Sequence, residues 1–303
     1  MRVNERAVTA SGGAAVRRIK VFFIIGTLDV GGAETQLVEL VSRLDRARFD
    51  PIVCSMKAGG ALAAPLRSRG IRVEALGFIG MRQGPWRQFA RAAFAGLRGI
   101  WRLWRLLKHE RPDLLHGILI QGYVPGTFVG RLAGVPRIVS SRRSLGLFKE
   151  GKIVYLWLER IADRFTDLFI ANSEAVRVDT LRREPVPASK IIVIHNGLDF
   201  ARFDASQPAA ELAAISGPRV IVVSNLLHYK GHECFLGAWQ GVVRVVPGAV
   251  ALLVGDGPLR GPLERRCQDL GITDSVRFLG LRHDVPALLA ASDLYVHASR
   301  EEG

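Results

Sequence analysis

The sequence predicts an α/β protein of two domains, each a parallel β-sheet covered by helices. Three observations predict it. Short Val- and Ile-rich runs bounded by turn residues recur along the chain, as in strands buried on both faces. Amphipathic stretches of helical period separate them, and such alternation implies parallel strands with right-handed crossovers. The alternation breaks once, across residues 201–217, where Pro208, Gly217 and Pro218 accompany little period, and then it restarts. At 303 residues and 49% hydrophobic content the chain can build two such cores.

Residues 1–17 are polar and without period and read as a disordered leader, so the first domain is expected over 18–200. Arg17, Arg18 and Lys20 precede VFFII and imitate a signal peptide, but the apolar run is too short and no small-residue cleavage pattern follows. Residues 20–25 are therefore the first strand. GTLDVGGAETQLVELVSRL (26–44) supplies a glycine loop and a helix with Leu37, Leu40, Val41 and Leu44 at helical spacing. Gly31 and Gly32 make either a tight strand-to-helix turn or a backbone that a phosphate can approach closely. The loop lacks the GxGxxG pattern, which argues against a nicotinamide enzyme.

Strand and helix then alternate through 49–56, 60–69 and 73–76 to a long helix at about 86–108. Arg87, Arg91, Arg98, Arg102 and Arg105 recur on one side of it, while Phe89, Ala93, Leu97, Ile100, Trp104 and Leu107 are assigned to the opposite face. Such a helix either covers a sheet with an arginine-rich solvent face or lies on an anionic membrane surface, and the two are compatible. Residues 114–119 form a strand carrying His116, and 136–140 the next. The loop 140–152 carries Arg142, Arg143, Lys149 and Lys152, which suits an anionic acceptor or lipid headgroup, or simply a solvated basic loop. A helix (155–165), a strand (168–172) and a helix (174–183) lead to KIIVIHNGLD (190–199), where Asn196-Gly197 stops a β-branched strand in a turn. Residues 201–217 are the expected hinge.

The second domain, 218–303, opens with a strand at 219–224, a polar break at 225–231 and a helix at 231–246 with Phe235, Leu236, Trp239 and Val243 on one stripe. Lys230 thus stands where a strand's carboxyl end meets a helix amino terminus. Unpaired N–H groups, the positive end of the helix dipole and a full lysine charge all favour a phosphate there. Further strands are expected at 250–254, 276–279 and 294–298, with helices at 259–270 and 284–291. Gly255, Asp256 and Gly257 read as a turn after the second of these strands.

Residues 1–200 hold 32 Lys and Arg against 17 Asp and Glu, whereas 201–303 hold 10 against 11, so the basic excess lies in the first domain. A field of that sign attracts an anionic lipid surface, a phosphorylated acceptor or nucleic acid. No aromatic-interleaved nucleic-acid motif is present, and nucleic acid is not expected as a partner. Cys54, Cys234 and Cys267 lie far apart with no CxxC spacing, which points to reduced core thiols in the cytoplasm and to no metal site. No apolar run reaches the roughly 20 residues of a spanning helix, so membrane contact is expected to be peripheral, on the inner face.

Taken in order, RVIVVSNLLHYKGHE (219–233), ALLVGDGP (251–258), SVRFLG (275–280), DVPALLAASDLYVHAS (284–299) and the terminal REEG (300–303) resemble the donor-binding half of retaining glycosyltransferases of family four. GGAE and HNGLD extend the resemblance over about residues 20–303. It implies two facing Rossmann-like domains of the GT-B type. The expected activity is transfer of a sugar from a nucleoside diphosphate donor to a lipid-linked, glycan or other acceptor with retention, as in cell-envelope polysaccharide synthesis, without metal or other cofactor. The resemblance makes Lys230 the group that neutralises the leaving diphosphate and Glu302, before Gly303, a carboxylate beside the sugar. It implies donor contacts from Gly31, Gly32, Asn225, Gly255 and Asp256, with the backbone of Arg277, Phe278 and Leu279 reading the base. Acceptor contacts fall to His116, Arg142 and Arg143. Two departures stand out: Asn225 replaces a common arginine, and Ile118 replaces the second of two histidines, which weakens a catalytic role for His116 and favours a core or strand-end histidine. The chain also stops before the family's second glutamate, so a truncated second domain and little activity of the fragment are expected. The rival readings are a sugar-nucleotide epimerase of the same architecture and a non-catalytic basic module that binds membranes or anions.

Overall fold

A computed structural model describes residues 17–78, 86–146 and 153–300, with backbone alone for 86–90. Residues 1–16 of the leader, Lys149, Lys152 and the REEG glutamates, Glu302 among them, lie outside the described residues. The chain divides into two compact units, 1–197 and 198–303.

The first unit runs β1 (Ile19–Ile25), α1 (Gly32–Arg43), β2 (Phe49–Ser55), α2 (Ala63–Ser68), β3 (Arg72–Ala75), α3 (Trp86–Glu110), β4 (Leu114–Ile118), α4 (Leu119–Ala133), β5 (Arg137–Arg142), α5 (Ile153–Arg164), β6 (Leu168–Ala171), α6 (Glu174–Arg183) and β7 (Ile191–Val193). All seven strands pair in parallel in the order β3-β2-β1-β4-β5-β6-β7. The apolar run of β1 is continuous because both of its faces are buried. Phe23 and Ile25 pack with Leu37, Val38 and Val41 of α1, while Phe22 and Ile24 pack with Leu103 and Leu107 of α3.

The second unit contains α7 (Ala201–Asp204), β8 (Arg219–Val223), α8 (His232–Val245), β9 (Val250–Val254), α9 (Arg260–Leu270), β10 (Val276–Gly280), α10 (Val285–Ala290) and β11 (Leu294–Tyr295), with parallel strand order β10-β9-β8-β11. Val220 and Val222 face Trp239 of α8, and Ile221 faces Leu288 of α10. The Trp239 indole N–H donates to Ser275 Oγ at 3.1 Å, which satisfies the polar tip of the largest core side chain.

Two expectations need correction. Residues 201–217 are not a bare hinge: Leu212 and Ile215 are 2% and 7% exposed and pack with Ile221, Leu252 and Leu288, while Arg282 reaches Glu211 at 2.9 Å. Two apolar residues three apart cover a sheet face that the six-residue α10 leaves partly open, so this segment belongs to the second unit. The apolar face of α3 also differs. Ala92, Leu103 and Leu107 are buried, whereas Leu97 and Trp104 are 72% and 39% exposed, beside Phe94 and Trp101. At 100° per residue the helix carries three stripes: buried Ala92, Leu103 and Leu107, exposed apolar Phe94, Leu97, Trp101 and Trp104, and basic Arg91, Arg98, Arg102 and Arg105. Period alone merged the first two. The Arg87 side chain lies outside the described residues.

Candidate functional site

Each parallel sheet reverses its strand order once, and such a switch point is where open α/β sheets bind ligands, outside the carboxyl ends of the strands. In the first unit it falls between β1 and β4; in the second, between β8 and β11.

At the second switch point the loop after β8 carries Asn225, Tyr229 and Lys230, and the segment after β11 carries Ala298, Ser299 and Arg300. The backbone N–H of Arg300 donates to the Tyr229 carbonyl at 2.8 Å, and Ser299 Oγ donates to the same oxygen at 3.2 Å. Residues 228–230 form one turn of 3₁₀ helix, and Gly231 then takes φ +72° as the amino cap of α8. A side chain there would meet the Ala298 backbone as well as a strained φ, so only glycine lets the two segments close. Lys230 is half-buried, with its ammonium 5.0 Å from the Tyr229 ring centroid, and Asn225 is exposed. Gly255 (φ +133°) ends β9 against the Ser224 carbonyl, and a Cβ on Gly257 would lie 2.6 Å from the Leu226 carbonyl oxygen. Exposed Asp256 accepts a hydrogen bond from the Gly257 N–H at 2.8 Å. In the edge strand β10, Arg277 is exposed while Phe278 and Leu279 pack into the two core faces, so a ligand beside them would meet their backbone.

His232 was not anticipated. It is 2% exposed in the first turn of α8, with Nε2 3.1 Å from Ser224 Oγ, and burial lowers its pKa. A neutral imidazole thus fastens β8 to the helix that follows Lys230. Its position two residues after the lysine was the available signal.

At the first switch point, Gly31 caps α1 with extended backbone and Gly32 is its first residue. A Cβ on Gly31 would collide with the Glu34 carboxylate, while one on Gly32 would meet nothing within 4 Å. The close approach therefore belongs to Gly31. Glu34, within GGAE, is 8% exposed, and burial raises its pKa against the pull of its own backbone hydrogen bond; Asp29 adds to the rise and Arg143 opposes it. Half-buried Arg143 donates to Asn196 Oδ1 at 2.8 Å, and its Nε has no hydrogen-bond partner among the described residues. Gln36 of α1 donates to the Gly197 carbonyl at 3.2 Å. The Asn-Gly turn thereby joins the glycine loop and Arg143 at one rim, which its turn-forming role alone did not reveal.

Two acceptor assignments are corrected. Arg142 is the last residue of β5 rather than part of an open loop, and it is 7% exposed. Its guanidinium lies 2.7 Å from Asp163, 2.8 Å from Glu184 and 3.7 Å from Glu159, over the rings of Tyr123 and Phe169. A cation so enclosed is spent on its own carboxylates. His116 is 7% exposed in the middle of β4, 5.4 Å from the Phe23 ring and 2.7 Å from Ser141 Oγ. Burial, reinforced by Arg143, lowers its pKa to about 3, so it is a neutral core histidine. Ile118 is fully buried at the end of the same strand. Leu119 follows at φ +56°, an unusual value for leucine, and turns the chain directly from β4 into α4.

Among the described residues, no group of three or more His, Cys, Asp or Glu could hold a metal ion, and no helix is long and apolar enough to cross a membrane.

Comparison with known proteins agrees with this architecture. The Glycosyltransferase Family 4 profile matches residues 30–202, and that of Glycosyl transferases group 1 matches 217–303. The UDP-Gal:alpha-D-GlcNAc-diphosphoundecaprenol alpha-1,3-galactosyltransferase of Escherichia coli is 30% identical over 220 residues, covering 68% of this chain; the match spans 57% of that relative's length. The 2-deoxystreptamine N-acetyl-D-glucosaminyltransferase of Streptomyces fradiae is 27% identical, over 90% of this chain and 70% of its own length. Among solved structures, Anabaena HepE in complex with UDP-glucose superimposes with a TM-score of 0.76 at 25% identity, over 93% of this chain and 74% of that one.

Proposed function

The chain belongs to Glycosyltransferase Family 4, and on that premise we propose that it transfers a sugar from a nucleoside diphosphate donor to an acceptor with retention of anomeric configuration. One observation carries the reading: the segments bearing Lys230 and Ser299-Arg300 are fastened together at the switch point of the second sheet, where Tyr229 accepts two hydrogen bonds from the latter. The diphosphate lies against the amino terminus of α8. Lys230 and the first N–H groups of that helix take up the charge that develops on the leaving group. Asn225 and the backbone around Gly255 add uncharged hydrogen bonds, and the backbone of β10 at Arg277, Phe278 and Leu279 meets the nucleobase. Glu302, two residues beyond Arg300, is assigned to the sugar hydroxyls. At the first unit's rim, Glu34 and Arg143 form the acceptor-side group. The transfer needs no metal. The E. coli relative supports a lipid-linked acceptor, and HepE supports a uridine nucleotide.

Titration of UDP and GDP against the wild-type chain and Lys230→Ala tests this. One nucleotide is expected to bind with or without EDTA, and the substitution to weaken it roughly 10- to 100-fold, the worth of a charge-assisted hydrogen bond. Binding that Lys230→Ala leaves untouched would remove the donor site from this rim.

A further inference from the structure

Helix α5 is turned inside out. Its buried residues are Glu159, Ala162 and Asp163, with Glu159 and Asp163 held to Arg142, while Ile153, Val154 and Trp157 are 78%, 71% and 63% exposed. A helix on a water-facing surface shows the opposite pattern. In the same unit α3 presents its exposed stripe of Phe94, Leu97, Trp101 and Trp104 beside its arginines, with the Arg105 guanidinium 4.8 Å from the Trp101 ring centroid. A groove of about 850 Å³ lies among these helices, lined by Val124, Phe128 and Leu132 of α4 and by Tyr155 and Leu158 of α5. Its lining also includes Thr27, Glu34 and Lys57, so an apolar slot at the helical surface continues to the polar rim of the first sheet.

We propose that this groove holds the hydrocarbon chain of a lipid-linked acceptor with an anionic head, taken from an anionic bilayer on which the exposed faces of α3 and α5 rest. The inference rests on the glycosyltransferase reading and names the acceptor class for it. An apolar stripe flanked by arginines matches the boundary between acyl chains and anionic headgroups, where each surface cation contributes about 1 kcal/mol. A second copy is the poorer occupant, because residues 1–200 carry 32 Lys and Arg against 17 Asp and Glu and self-pairing would bring like charges together. With the chain in the slot, the head lies at Lys57, and its terminal sugar reaches Glu34.

The test uses the whole chain, undecaprenyl phosphate as probe, and vesicles of phosphatidylcholine with or without phosphatidylglycerol. Leu132 and Leu158 are 76% and 37% exposed, so Leu132→Glu and Leu158→Glu put a charge in the slot without disturbing a core. The wild type is expected to float with the phosphatidylglycerol vesicles, with Trp fluorescence quenched by brominated lipid, and to bind the probe. Each groove variant is expected to bind the probe about tenfold more weakly, the worth of one leucine's burial, while UDP affinity stays at the wild-type value. Probe binding that both variants leave intact, complete competition by inorganic phosphate, or burial of the patch in a dimer that does not float would each overturn the inference. UDP binding without probe or vesicle binding would overturn this inference alone. Absence of both UDP and GDP binding would overturn the reading on which it stands.

Discussion

The Cα of Gly231 faces the carbonyl of Ala298 so closely that no side chain fits between them. This contact joins the loop after β8 to the segment after β11 and so fixes the backbone on which Lys230 stands. Gly231→Ala would impose both the clash and a φ of +72° on alanine, a loss of about 2 kcal/mol or more. Gly237 of α8 is the control, because a Cβ there meets nothing within 4 Å and Gly237→Ala should add about 0.5–1 kcal/mol of stability. Denaturant titrations of the two variants are expected to move in opposite directions, and only Gly231→Ala should weaken UDP binding.

Arg142 decides the stability of the β5 end of the first sheet. Burial alone would lower its pKa, but Glu184, Tyr123, Asp163 and Glu159 together raise it, so it stays charged. Arg142→Met leaves buried carboxylates without their cation, a cost of about 3–5 kcal/mol. Burial already raises Asp163 to about 6, opposed by Arg142. Without that cation the carboxyl binds its proton more tightly still in the folded state, which then takes up more protons than the unfolded one above the ordinary value of 3.8. The variant should therefore regain stability as pH falls from neutrality toward about 5, as thermal melts would read.

His116 produces the opposite slope. Its folded pKa of about 3 lies below the ordinary 6.5, so the unfolded chain binds the proton first and stability falls as pH drops below about 6.5. His116→Leu removes that slope, and the difference in melting temperature from wild type should shift in the variant's favour as the solution is acidified. Equal pH profiles for the two proteins would contradict the buried neutral state.

Glu34 is expected to act on the acceptor side only. Glu34→Gln keeps the shape beside Gly31 and removes the charge. Transfer should fall by roughly tenfold or more through lost positioning, with UDP titration unchanged. A matching loss of UDP affinity would assign Glu34 to the donor instead.

Much of the fold was legible because each strand has to bury both faces, so runs such as IKVFFII and RVIVV announce themselves. Lys230 was legible too, since a strand, a polar break and an amphipathic helix in succession leave it at a helix start. Glu34 was hidden for lack of a periodic signal: its importance comes from Gly31 and Arg143, and Arg143 is 109 positions away. Arg142 and Arg143 are adjacent and alike in sequence, yet one points into a carboxylate cluster and its neighbour toward Asn196, because successive side chains at a strand end alternate in direction.

By itself the amino-acid sequence determined the two parallel sheets, the glycine turns at their rims and the placing of the basic charge, all of which follow from local period and turn chemistry. Tertiary structure alone decided which polar groups are buried against one another and which apolar groups are left outside. Helix α5 shows the difference: its carboxylates are inside only because Arg142, from a strand, meets them there. A side chain's burial depends on what the rest of the chain brings to that side of its element, and no pattern within twelve residues carries that information.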